Sequence, residues 1–145
     1  MSMFNSINIS SSGLTAERLR MDIISKNIAN ANTTRTANGT PYRRQVVTFK
    51  TAENSSFKEH LNNSLNKNIA QGVEVESIKE DNSAFKRVYD PGHPDADKDG
   101  YVLMPNVNIV TEMVNMISAT RSYEANVTAL NASKSMMMKA LEIGK

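Results

Sequence analysis

Apolar side chains gather at the two ends of the chain with helical spacing, and between them the pattern breaks into short runs separated by turn formers. Near the N-terminus Met3, Ile7, Leu14, Met21, Ile24, Ile28 and Ala31 fall on three- and four-residue steps and their seven-residue sum, which place them along one side of a helix. Near the C-terminus Ile109, Met116, Tyr123, Leu130 and Met137 recur every seven residues; Met113, Val127 and Leu141 stand four further on, and only Thr120 and Lys134 interrupt. Ser10 and Glu17 break the first stripe, yet Ile9, Ala16, Leu19 and Ile23 form a second one on roughly the opposite side, at about 100° per residue. One partner helix from the same chain covers only one such stripe. The pattern therefore predicts either contact with other subunits or a helix sandwiched within its own domain.

The first helix is expected from Met3 to Asn32, roughly 45 Å at about 1.5 Å per residue, with Gly13 a local weak point. It stops at ANANTTRT, Ala29 to Thr36, where Asn and Thr side chains compete for backbone hydrogen bonds; Asn38-Gly39 and Pro41 reinforce the break. Tyr42 to Lys50 reads as an extended segment that Val73 to Lys79 can pair with, Val73 and Val75 on one face and Glu74 and Glu76 on the other. Phe85 to Tyr89 supplies a third short strand. Between the first two, Phe57, Leu61, Leu65 and Ile69 recur every four residues within 52–71, so a marginal helix and an Asn- and Ser-rich mobile loop both fit. Asp90 to Gly100 is a loop leading into the last helix, with Asn108 as its N-cap and Glu112 near its positive end. That helix runs to about Glu142, roughly 51 Å, and Lys134, Lys139 and Lys145 bias its far end toward positive charge. The expected fold is mainly α: long N- and C-terminal helices packing as a coiled coil, with a small irregular, β-containing middle insert. Its parts are 1–36, 37–104 and 105–145.

Composition sharpens this picture. The chain has 145 residues, no Trp and only 6% aromatics, so rigid anchors for a closed interior are scarce and the core is modest. A net charge of +2 without any dense Lys/Arg block lacks the footprint of a nucleic-acid binder. With no Cys there are no disulfides, thiol catalysis or thiolate metal sites. No apolar run approaches the roughly 20 residues of a spanning helix, and no basic-apolar-cleavable start is present, so membrane insertion and ordinary signal-peptide export are disfavoured.

Asp95, Asp97, Asp99 and Gly100 reproduce the D-x-D-x-D-G opening of a calcium loop, which makes a soluble helical binding module with a weak calcium loop at 95–99 the alternative reading. The twelfth position is Asn106 where a bidentate Glu belongs, Pro105 precedes it, and no helix leads in; the bland reading is an acidic surface turn. His60 and His93 lack the ligand spacing of a zinc site. Neither a nucleophile elbow nor a Gly-rich phosphate loop occurs, so no catalytic residue, metal or cofactor is assigned. Tyr123 and the run Met136 to Met138 read as packing, either against inequivalent neighbours or within a monomer core.

Three segments together carry a resemblance: SGLTAERLRMDIISKNIANANTT (Ser12 to Thr34), YDPGHPDADKDGYVLMPNVNIVTEMVNMI (Tyr89 to Ile117) and RSYEANVTALNASKSMM (Arg121 to Met137). They resemble bacterial flagellar basal-body rod proteins, and the second segment with the short total length is most similar to the proximal-rod members. The resemblance implies a structural subunit of the drive shaft between membrane ring and hook, exported through the flagellar type III apparatus. Its implied partners are further copies, other rod proteins, and ring and adaptor proteins at the rod base. It also implies an inner coiled-coil layer built from the terminal helices. Subunit packing is then expected at Ile7, Leu14, Met21, Ile24, Ile28, Met113, Met116, Tyr123, Val127, Leu130 and Met137, while Asn30, Asn32 and Thr33 set the exit from the first helix.

Overall fold

Both long apolar patterns become helices. In the computed structural model, which describes residues 3–52 and 71–143, α1 spans Met3–Ala29 and α2 spans Ile109–Ile143. The recurrence Phe57, Leu61, Leu65 and Ile69, together with His60, Lys145 and the side chain of Met3, lies outside the described residues. Where the sequence carried the first helix to Asn32, it ends at Ala29. Asn30 Nδ2 donates to the Lys26 carbonyl at 2.9 Å, and the next amides bond back in turns, Ala31 to Ile28 and Thr33 to Asn30. The Asn108 cap forms as expected: its Oδ1 accepts the amides of Val110 at 3.0 Å and Thr111 at 3.3 Å, two donors that the first helical turn leaves without intrahelical partners.

Among the described residues, the segment between the helices makes two small ladders. Strand β1 (Gln45–Thr51) pairs with β2 (Val73–Glu80). The Asp81 amide bonds to the Arg44 carbonyl at one end and the Ala52 amide to the Gly72 carbonyl at the other, so the two run antiparallel. Expected alternation along β2 is only partly realised, because Val73 is exposed while Glu74 and Val75 are both half-buried. Strand β3 (Lys86–Tyr89) pairs antiparallel with β4 (Tyr101–Met104), with Val88 opposite Val102 and Tyr89 opposite Tyr101.

Strand β4 was not foreseen: its YVLM run falls within the 37–104 insert, where Phe85 to Tyr89 was the last strand expected. It pairs because the Asp90–Gly100 loop closes on itself: the Asp90 amide donates to the Gly100 carbonyl at 3.0 Å and the Gly100 amide to Asp97 at 2.8 Å. Gly100 has φ +75°, and a Cβ there would stand 2.9 Å from Tyr89 Cε2, so only glycine fits this closure.

The chain forms two compact units. One comprises Met1–Leu19, Phe49–Glu76 and Ala119–Lys145. There Ala16, Ala119 and Ser133 are buried, and a Cβ on Gly13 would approach Asn126 Nδ2 to 3.1 Å. Gly13 thus marks a close approach of the two helices, a packing reason that outweighs its intrinsic cost in a helix. Ser12 Oγ adds a tie to β2 by accepting the Val73 amide at 3.0 Å. The other unit comprises Arg20–Thr48 and Ser77–Ser118, and buries Ile23, Ile24, Ala31, Tyr42 and Val102 together with Asn27 and Glu112. Among the described residues no helix is long and apolar enough to cross a membrane.

Candidate assembly face and polar joint

The buried positions of each helix keep a coiled-coil rhythm, but the residues in the seam are small or polar. In α1, Ala16 and Ile23 stand seven apart and Asn27 four further on; in α2, Glu112, Ala119 and Ser133 stand at multiples of seven. The expected packing residues distribute around this seam. Ile24 is buried, and Ile7, Leu14, Met21, Ile28, Met116, Tyr123, Val127, Leu130 and Met137 are half-buried. Met113 is 55% exposed.

Met113 belongs to a stripe that the chain leaves open. Ile109, Val110, Met113, Val114 and Ile117 are all exposed, and at about 100° per residue they share one face of the first turns of α2. A second exposed apolar group, Met136, Met138, Leu141 and Ile143, ends the same helix. Contiguous apolar surface of this kind marks an interaction site, whereas a single exposed Leu does not.

Beside the first stripe lies a joint that sequence reasoning missed. Asn27, 1% exposed, satisfies all four of its side-chain hydrogen-bonding positions. Its Nδ2 donates to the Gln45 carbonyl at 2.8 Å and to Glu112 Oε2 at 2.9 Å; its Oδ1 accepts from the Tyr42 hydroxyl and the Gln45 amide, each at 2.9 Å. Glu112 is fully buried, and its Oε1 accepts from Arg44 Nε at 2.9 Å and Nη2 at 2.8 Å. Asn106 completes the arrangement, accepting the Arg44 amide at 2.9 Å and donating to the Asp81 carbonyl at 2.9 Å and to Ser83 Oγ at 2.8 Å. The joint binds the end of α1, the start of β1 and the first turn of α2. A carboxylate buried with so complete a set of donors contributes specificity of pairing more than net stability.

Two titrations follow from this geometry. Burial pushes the Tyr42 hydroxyl above its ordinary value of 10.0, with the negative charges of Glu112 and Glu80 adding to the effect. The folded state therefore holds that proton more tightly than the unfolded chain. Its contribution is fully present below pH 10.0 and is lost as pH rises through the raised folded value. Asp81 moves the other way: the Ser83 amide and hydroxyl bonds, and then Arg44, hold its carboxyl below the ordinary 3.8. Its contribution is present above 3.8 and fades as pH falls through the lowered value. Urea unfolding across alkaline pH is expected to show a loss of stability above pH 10.0 that Tyr42→Phe abolishes.

Asn30 and Thr33 take part in the hydrogen bonds at the exit from α1. Asn30 bonds back to Lys26, Thr33 Oγ1 donates to Asn30 Oδ1 at 3.2 Å, and the Tyr42 amide reaches the Thr33 carbonyl at 3.1 Å; Asn32 is exposed. The acidic loop is engaged locally. Asp95 Oδ2 accepts from Thr34 Oγ1 at 2.8 Å, Arg35 lies 3.7 Å from its other oxygen, and Asp97 Oδ1 accepts the Lys98 amide at 2.8 Å. Asn106, at the position of a twelfth loop ligand, is committed to the joint, and among the described residues no three His, Asp or Glu side chains converge on a possible metal position.

Comparison with known proteins identifies this arrangement. Residues 7–35 match the family described as "Flagella basal body rod protein", and residues 98–143 match "Flagellar basal body rod FlgEFG protein C-terminal". The chain is 53% identical to the flagellar basal-body rod protein FlgC of Borreliella burgdorferi, over 99% of this chain and 98% of that protein. It is 52% identical to FlgC of Bacillus subtilis and 40% identical to FlgC of Salmonella typhimurium, each over the full length of both chains. The two family matches cover most of α1, all of α2 and the joint residues Asn27, Asn106 and Glu112, and the full-length similarity covers the insert with Tyr42 and Arg44 as well: the chain belongs to the bacterial flagellar basal-body rod proteins.

Proposed function

We propose that this chain is a structural subunit of the flagellar basal-body rod, polymerising helically through its terminal helices and transmitting torque from the membrane ring to the hook. The observation that carries this reading is the apolar stripe Ile109, Val110, Met113, Val114 and Ile117, left exposed on a chain related over its whole length to rod proteins. Contacts between unlike faces of identical subunits propagate as a helix and do not close into a dimer. Each buried apolar Å² contributes roughly 25 cal/mol, so modest stripes add up when every subunit meets several neighbours. In this reading 1–36 and 105–145 form the inner layer and 37–104 lies outside or between subunits. The termini gain their full order on assembly, which limits premature polymerisation in the cytosol.

The same reading places the chain in the periplasmic part of the basal body. Its partners are further copies, other rod proteins, ring and adaptor proteins at the rod base, and the type III export apparatus, which handles the chain before assembly. The role is structural rather than catalytic. Leu130, half-buried on α2, provides the test. Leu130→Asp is expected to abolish rod assembly and swimming while the chain is still synthesised, measured by motility on soft agar and by immunoblotting of whole cells and isolated basal bodies. Normal swimming in that strain would remove the seam from the mechanism.

A further inference from the structure

The β3–β4 hairpin is a two-stranded sheet, so each of its strands has an outer edge. Its ladder runs on into the loop, where the Asp90 amide meets the Gly100 carbonyl at 3.0 Å, and in an antiparallel pair the bonded positions alternate. Lys86 and Val88 therefore bond across to β4, while the amides and carbonyls of Arg87 and Tyr89 point away from it. On β4 the outward positions are Tyr101 and Leu103, and the loop caps the first of them: the Tyr101 carbonyl accepts the Asp97 amide at 2.8 Å. Among the described residues no such cap reaches Arg87 or Tyr89, and β3 is the open edge.

The side chains along that edge have a definite order. Arg87 and Tyr89 share the outer face with Tyr101 and Leu103, and Tyr89 and Leu103 are 65% and 45% exposed. Lys86 and Val88 turn to the other face, where they line a groove of about 480 Å³ with Ala31, Met104, Val107 and Ile109. Neither cation has a carboxylate partner among the described residues. The Arg87 guanidinium lies 4.8 Å from the Tyr101 ring centroid, and stacking leaves the N–H groups in its plane unused. The acidic loop makes no ion pair with either: Asp95 is held by Thr34 and Arg35, and Asp97 Oδ1 by the Lys98 amide.

An open edge accepts an added strand, in which main-chain bonds supply affinity and side chains choose the partner. Read along β3, Lys86, Arg87, Val88 and Tyr89 are two cations followed by two apolar side chains. Antiparallel addition, the commoner and slightly more stable pairing, sets two apolar residues followed by two acidic ones against them. This chain has no such run in either direction. Its one adjacent acidic pair, Glu80 and Asp81, follows Lys79 and precedes Asn82 and Ser83, while β3 of a second copy would bring two more cations and no carboxylate.

We infer that the β3 edge at Arg87 and Tyr89 is a docking site for an extended segment of a different protein, added as a third strand, in which two apolar residues precede two acidic ones. The carboxylates meet Arg87 and Lys86; one apolar side chain packs on Tyr89, and the other enters the groove beside Val88. The inference stands without the rod reading, because all of these residues belong to one hairpin and the groove beside it.

The test uses the purified full-length chain and a fluorescein-labelled peptide with the core Val-Ile-Glu-Glu between short Gly-Ser flanks. Saturable binding is expected by fluorescence polarisation, with amide exchange at Arg87 and Tyr89 slowed at least tenfold in the complex. The reordered core Glu-Val-Glu-Ile binds at least tenfold more weakly. Arg87→Glu weakens the first peptide to a similar extent, and the core Val-Ile-Lys-Glu recovers the loss in that variant. Binding that leaves the two amides unchanged, or that Arg87→Glu does not weaken, would overturn strand addition, as would the absence of saturation up to about 1 mM. Protection of both amides in the chain alone that grows with its concentration would give the edge to a second copy and overturn the choice of a foreign segment.

Discussion

Replacing Glu112 with alanine is expected to be among the most damaging single substitutions in this chain. It removes the acceptor of two Arg44 hydrogen bonds and one Asn27 hydrogen bond in a place where the carboxylate itself is fully buried. Breaking a buried pair from one side costs about 3 kcal/mol, because the partner charge remains with its desolvation uncompensated. Arg44 retains Asp81 at 3.5 Å, which keeps the loss at the lower end of that range. The readout is hydrogen exchange at the Gln45 amide, which Asn27 Oδ1 holds at 2.9 Å. At about 1.4 kcal/mol per factor of ten, its exchange should accelerate by a little over a hundredfold. Changing both charged partners, Glu112→Met with Arg44→Met, should recover most of that loss, since no lone charge is then buried. Unaltered exchange in the single variant would show that the joint does not fix the elements it connects.

Ile117→Asp should have the opposite profile. Ile117 is 60% exposed, so in the free chain a carboxylate there stays in water and stability should change by no more than about 0.5 kcal/mol. In the rod the same carboxylate would have to enter an apolar contact without a partner, which costs several kcal/mol at every copy. Loss of motility and of rod-incorporated chain is expected, with unchanged unfolding of the purified chain. The two substitutions separate a residue that holds the subunit together from one that joins subunits. If Ile117→Asp instead unfolded the free chain, the stripe would belong to the subunit's own packing.

Much of this architecture is legible in the sequence because long helices repeat their pattern many times. Seven-residue recurrences from Ile109 to Met137 locate α2, and Asn108 marks its start by a local mechanism that needs no tertiary context. The seam was harder to read. Apolar spacing sets Met113 and Leu141 in one seam with Met116 and Tyr123, expected to pack between subunits, whereas the positions buried within the chain itself are Glu112, Ala119 and Ser133, and Met113 and Leu141 are exposed. A polar or small residue in a seam is invisible to a hydrophobic count, although Glu112 and Ala119 keep the seven-residue spacing that could have revealed them. Strand β4 escaped for a related reason. Its four residues carry no alternation of their own, and they become a strand through closure of the Asp90–Gly100 loop against β3. The joint combines Asn27, Tyr42, Arg44, Asn106 and Glu112, which are far apart along the chain and chemically unremarkable one at a time.

The Met113 side chain tests the account most directly. In a chain free of other thiols, Met113→Cys places one sulfhydryl in the open apolar stripe, where the native side chain is 55% exposed. Its rate of alkylation is measured in the purified chain and in intact isolated basal bodies, with Lys98→Cys in the exposed acidic loop as reference. The account predicts rapid labelling in the free chain and protection of at least tenfold in the rod relative to the loop thiol. Equal relative labelling in both states would contradict it, because the terminal helices would then keep their apolar faces in water after assembly.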